Sequence, residues 1–145
     1  MTISNEYEGV FASVGIHPHD SKDAPDNFVE EIYDLMKHKN IVALGEMGLD
    51  YFRNLSEPKI QKRVFRAQLG LAKTLNKPVI LHNRDADNDL LKILSEYPDV
   101  RGIAHCFSST LEVAERLVSL GYFISFSGNI TVSYTHLTLP TISRV

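Results

Sequence analysis

The stretch Ile41-Val42-Ala43-Leu44-Gly45-Glu46-Met47-Gly48-Leu49-Asp50 decides the fold. Its first half, Ile41 to Gly45, is a short, continuously apolar run, and the remainder ends on two carboxylates set among glycines. A run of that kind is too short for a surface helix and suits a strand buried on both faces, as in a parallel sheet. Four further runs repeat the pattern on either side: Val10-Phe11-Ala12-Ser13-Val14-Gly15, Pro78-Val79-Ile80-Leu81-His82, Arg101-Gly102-Ile103-Ala104-His105 and Tyr122-Phe123-Ile124-Ser125-Phe126.

Between the runs the apolar spacing changes to three and four. Phe28, Ile32, Leu35 and Met36 form one stripe, and Phe65, Leu69, Ala72 and Leu75 a second. Leu90, Leu91 and Leu94 form a third, and Leu111, Ala114, Leu117 and Val118 a fourth. These predict helices laid on a sheet. Asn76-Lys77-Pro78 stops a helix before a strand, because proline disfavours helical geometry in the residue before it. Ser108, Ser109 or Thr110 can cap the last helix, and Gly121 suits its end. Strands alternating with helices imply an α/β fold with about five parallel strands.

Two architectures share that pattern. An open doubly wound sheet that binds nucleotides calls for a glycine-rich turn after an early strand, and none is present. A (β/α)8 TIM barrel instead gathers reactive side chains at the C-terminal ends of several strands. Here the strands lead into His17-Pro18-His19-Asp20, Glu46-Met47-Gly48-Leu49-Asp50, His82-Asn83-Arg84-Asp85 and His105-Cys106-Phe107-Ser108. The barrel reading is therefore preferred, and it is a partial one: a whole barrel takes about 250 residues, against 145 in this sequence.

The composition narrows the function. The chain is 43% hydrophobic with a net charge of −3, so it lacks the bulk positive charge usual in a protein that coats nucleic acid. Phosphate binding would have to rest on a metal ion. One cysteine excludes an internal disulfide. No apolar stretch approaches the length of a membrane span, and the start of the chain is too polar for a signal peptide. The expectations are a cytoplasmic protein, no membrane association and no obligate protein partner.

Each strand-end residue has an ordinary reading. A lone histidine is more often a core or capping residue than a ligand. Glu46 could simply pair with Arg53 or Arg84. Cys106 reads as a small hydrophobe, and His38 and His136 have no such context. Jointly, imidazoles and a carboxylate on successive strand ends describe a site for a divalent metal with nitrogen and oxygen ligands.

The blocks Gly15-Ile16-His17-Pro18-His19, Gly45-Glu46-Met47-Gly48-Leu49-Asp50, His82-Asn83-Arg84-Asp85-Ala86 and His105-Cys106-Phe107-Ser108, with Tyr122 to Gly128 after them, resemble in order and spacing the signature blocks of the TatD family of metal-dependent hydrolases. The resemblance implies a TIM barrel with two divalent cations (Mg2+, Mn2+ or Zn2+) at its rim. It also implies a deoxyribonuclease that hydrolyses phosphodiester bonds in DNA without sequence specificity. Glu46 resembles the carboxylate that bridges the two metals and serves in catalysis, and His82 and His105 resemble ligands of the second metal. His17, His19, Arg53 and Arg84 fall in blocks that suit phosphate or substrate contact.

The family's His-x-His pair on its first strand has no counterpart before Tyr7, and its late Thr-Asp-x-Pro aspartate none after Gly128. The expectation is a partial barrel over 1–132, itself inactive, and a non-native tail over 133–145 that resembles translated sequencing adapter. Two alternatives stand beside the nuclease: a metal-dependent amidohydrolase-like enzyme on a small molecule, and a non-catalytic fragment.

Overall fold

The computed structural model describes residues 2–128. The tail expected over 133–145 lies outside the described residues. A short helix, α1 (Thr2–Glu6), precedes β1 (Ala12–Val14) and a 3-10 helix over Pro18–Asp23. The chain continues through α2 (Phe28–Leu35), β2 (Ile41–Asp50), α3 (Pro58–Leu75) and β3 (Val79–Arg84). It then forms α4 (Asp87–Ser95), β4 (Gly102–Ala104), α5 (Leu111–Ser119) and β5 (Tyr122–Ile124).

All five strands are parallel, and their order in the sheet, β1-β2-β3-β4-β5, is their order in the chain. A helix follows each of the first four strands, as in the wall of a (β/α) barrel. The expected stripes build the core. Phe28, Ile32, Phe65, Leu69, Leu90, Leu94 and Leu117 are buried together with Leu44, Leu49, Val79 and Leu81 of the strands. The punctuation also acts as read. Asn76 closes α3 in the left-handed conformation, and the Thr110 hydroxyl accepts from the Val113 N–H at the start of α5.

Three features differ from the sequence reading. β2 does not stop at Gly45 but runs ten residues to Asp50. Its pairing with β3 slips between Leu44 and Met47, so Gly45 and Glu46 occupy an irregular stretch inside the strand. Glycine is required at positions 45 and 48 because β3 comes close. A Cβ on Gly45 would lie 2.7 Å from the Ile80 carbonyl oxygen, and one on Gly48 would lie 1.9 Å from that of His82. Both also have positive φ.

Second, α3 begins at Pro58, well before Phe65, because its first two turns bury Gln61 and Val64. Third, the strands are not fully buried on both faces. Ile80, Ile103 and Phe123 stand in register across β3, β4 and β5, and Phe123 is 76% exposed.

Candidate metal centre

The ends of β1, β2 and β3 bring Glu46, Asp50, His17, His19 and His82 together. The segment after β1 is held by Gln68 of α3, whose carboxamide oxygen accepts from the Ile16 N–H at 2.8 Å and whose nitrogen donates to the Ile16 carbonyl at 3.1 Å. Pro18 then opens the 3-10 helix, and the His17 ring caps it, its Nδ1 accepting from the His19 N–H at 3.2 Å. A neutral His17 ring therefore carries its proton on Nε2. The His17 ring packs edge-on against those of His19 (centroids 4.3 Å apart) and His82 (4.5 Å).

Ring nitrogens of His17, His19 and His82 lie within 4.8 Å of one another, which makes this trio a possible cation cradle. Its hydrogen bonds qualify that reading. Nε2 of His19 and Nε2 of His82 lie 2.7 Å and 3.0 Å from one oxygen, Asp50 Oδ2. A buried carboxylate thus already engages two of the three rings.

On the other side of the His82 ring, Nδ1 lies 3.1 Å from Glu46 Oε1. An ionised carboxylate and a bare ring nitrogen at that distance repel unless positive charge lies between them. A second proton, on Nδ1 of the charged ring, supplies it in the metal-free chain below the titration of His82, and a divalent cation could supply it instead. One nitrogen and one oxygen on two adjacent strands fit such an ion.

The electrostatics follow from these contacts. The hydrogen bond from His82 holds the Glu46 carboxyl below its ordinary value, against the opposing effect of burial. Burial pushes Asp50 up, but the Arg53 N–H and the two imidazoles outweigh it and the net shift is downward. Burial likewise pulls His82 down, and its hydrogen bonds to Glu46 and Asp50 overcome that and raise it. His17 is lowered, first by burial and then by the neighbouring His82 and His19.

The other candidates are spread around this core. His105 follows β4, where its N–H donates to the Leu81 carbonyl at 2.9 Å. Its side chain is exposed, with Nε2 3.0 Å from Cys106 Sγ, and it is near enough to Glu46 to help lower that carboxyl. Arg84 is exposed and its guanidinium stacks over the Phe52 ring at 4.5 Å. Arg53 meets the site through its backbone, the N–H donating to Asp50 Oδ1 at 2.7 Å. Glu46 pairs with neither arginine but with His82.

Sequence reasoning singled out neither Asp50 nor the two glutamines of α3. Asp50 was visible as the closing carboxylate of the Gly45–Asp50 block. Gln61 and Gln68 carried no signal, since glutamine on an amphipathic helix reads as surface.

The match to known proteins covers the whole of this arrangement. The family model described as TatD related DNase matches residues 1–142. The uncharacterized metal-dependent hydrolase YabD of Bacillus subtilis is 43% identical over 133 residues, which are 90% of this chain and 52% of that protein. The protein of Klebsiella pneumoniae named 3'-5' ssDNA/RNA exonuclease TatD is 38% identical over 87% of this chain and 49% of its own length. Among solved structures, the TatD homolog YjjV of Escherichia coli superposes with a TM-score of 0.78 at 32% identity, over 85% of this chain and 49% of that one. The chain therefore spans about half the length of these relatives. By its sequence blocks, its five-stranded parallel wall and these matches, the chain belongs to the TatD-related DNase family of metal-dependent hydrolases.

Proposed function

We propose that these residues form part of the metal centre of a cytoplasmic nuclease that hydrolyses phosphodiester bonds in DNA without sequence specificity. The observation that carries this reading is the pair Glu46 Oε1 and His82 Nδ1, 3.1 Å apart on neighbouring strands with a positive charge required between them. Glu46 would bridge two divalent cations, and His82 with His105 would hold one of them. When bound, the cations supply a lowered pKa for water and neutralise charge on the phosphoryl oxygens.

The remaining residues bind and orient. Neutral His17, its Nδ1 occupied by the His19 N–H, presents Nε2–H as a donor suited to a phosphate oxygen. Arg84, held on the Phe52 ring, and Arg53 offer guanidinium groups to the DNA backbone at the same rim. His19 joins them as a further contact at the start of the 3-10 helix. Phosphate contacts of this kind carry no base information, in keeping with degradation of any sequence. With a net charge of −3, the affinity for DNA would come from the metals and these few cations.

The assay is nucleotide release from single-stranded DNA with Mg2+ or Mn2+, with these residues in a chain of the relatives' full length. Glu46→Ala should abolish it while preserving secondary structure. Activity retained in that variant would overturn the bridging role, and turnover of an amide or lactone without DNA hydrolysis would overturn the substrate class.

A further inference from the structure

Asp50 ends β2 with only 2% of its surface exposed, and every polar group it has is engaged. Its N–H donates to Gln61 Oε1 at 2.8 Å, and its carbonyl accepts from Gln61 Nε2 at 3.0 Å. Its Oδ1 accepts from the Arg53 N–H at 2.7 Å. Its Oδ2 faces Nε2 of both His19, at 2.7 Å, and His82, at 3.0 Å. The carboxylate can neither rotate nor move with the strand end.

We propose that Asp50 is a positioning residue that sets the tautomer of two imidazoles at once, holding the proton of His19 and of His82 on Nε2. A carboxylate only accepts, so a ring nitrogen facing it must carry hydrogen. In a neutral ring the other nitrogen is then bare. His82 has a carboxylate on each side, but Asp50 is buried and pinned whereas the Glu46 side chain is 32% exposed and free to turn away, so the single proton of the neutral ring stays on Nε2. For His82 that nitrogen is Nδ1, the atom turned toward Glu46. The strand end thereby specifies which nitrogen is offered to a cation and aims the ring, the service that carboxylates behind metal-binding histidines perform. This inference rests on the metal reading of Glu46 and His82 proposed above and adds the residue that prepares it.

Asparagine at position 50 separates this role from simple packing. The backbone N–H of Arg53 is a fixed donor, so the amide oxygen of Asn would turn toward it. The amide nitrogen, which only donates, would then face both imidazoles. A ring facing a donor must present a bare nitrogen, so the proton of His82 would move to Nδ1 and block it for a cation. Shape is almost unchanged while the tautomer inverts.

The experiment is long-range 1H–15N spectroscopy of the histidine rings in the metal-free 145-residue chain, at alkaline pH where the rings are neutral, together with Mn2+ titration calorimetry. In the parent chain both rings should carry hydrogen on Nε2. In Asp50→Asn, His82 should carry it on Nδ1, and Mn2+ affinity should fall by about 10–100-fold. A proton on Nδ1 of the neutral His82 ring in the parent chain overturns the proposal, and this measurement stands even if Asp50→Asn does not fold. Nε2–H rings in folded Asp50→Asn also overturn it: with unchanged affinity Asp50 has no role in the site, and with lost affinity it acts by charge alone. A parent chain with the expected tautomers that takes up no Mn2+ would instead count against the metal reading and leave the role of Asp50 intact.

Discussion

Gln61 and Gln68 stand seven residues apart on α3, and each holds both backbone polar groups of a single residue: Gln61 those of Asp50, Gln68 those of Ile16. Both side chains are buried, at 0% and 1% exposure. Two turns of one helix thus fix the segment after β1 and the end of β2, from which His17, His19, Glu46 and Asp50 project.

Loss of the second clamp should be costly. Gln68→Ala removes the partner of the Ile16 N–H and carbonyl, and an unmade buried hydrogen bond costs about 1–3 kcal/mol. A destabilisation of about 2 kcal/mol is expected in urea unfolding, with displaced ring signals for His17 and His19. An unchanged unfolding midpoint would mean that water replaces the carboxamide.

Gly48→Ala tests the close approach of β2 and β3. The added methyl would overlap the His82 carbonyl, at a residue whose φ of 144° already disfavours a side chain. Neither strand can withdraw without breaking the register of Leu49 with Asn83 and Asp50 with Arg84. The expected outcome is a loss of more than about 3 kcal/mol in chemical denaturation, or a chain that does not fold. A variant that melts with the parent would contradict the pairing.

A cation that binds the folded chain alone must stabilise it by mass action. At a free Mn2+ concentration a hundred times the dissociation constant, the gain is about 2.7 kcal/mol, visible as a rise in melting temperature. His82→Ala should abolish that rise. His105→Ala should diminish it, since that exposed ring contributes one ligand at most. Equal shifts in all three proteins would place the cation elsewhere.

The pH dependence has two opposite signs. In the metal-free chain, His82 titrates above the ordinary histidine value of 6.5, because its bonds to Glu46 and Asp50 outweigh burial. Its contribution to stability is complete below the unfolded value and is lost as pH rises through the raised folded one. Cation uptake runs the other way, because Nδ1 must lose its proton, so affinity should strengthen as pH rises through the same value. Glu46 and Asp50 are both lowered, so their contribution is present above the ordinary carboxylate range and lost as pH falls through their folded values. Calorimetry and thermal melts across the titration range of His82 check the opposition, and parallel trends would refute it.

The strands and helices were legible because burial leaves a direct mark on sequence. Five apolar runs became five strands, and stripes such as Phe65, Leu69 and Ala72 became the inner faces of helices. The extent of β2 was not legible, since Gly45 and Gly48 look like turn residues until the nearness of Ile80 and His82 is known. Glu46 and His82 were marked by type and position, and the structure sets them in contact. The placing of His17 and His19 against His82 was hidden, because it depends on the bend made by Pro18 and the clamp from Gln68. Asp50 was visible as a carboxylate, but its part in the site was hidden for a similar reason. Its environment is assembled from residues 19, 53, 61 and 82, and no local pattern encodes that meeting.

A sheet whose strand order follows the chain has a consequence for synthesis. Each strand after β1 finds its partner already made as it leaves the ribosome, so the wall can be laid down one βα unit at a time. The clamp on Ile16 breaks that sequence, because its other half lies 52 residues downstream. The His17–His19 corner, made early, must therefore wait to be secured until α3 has been translated and folds back over it.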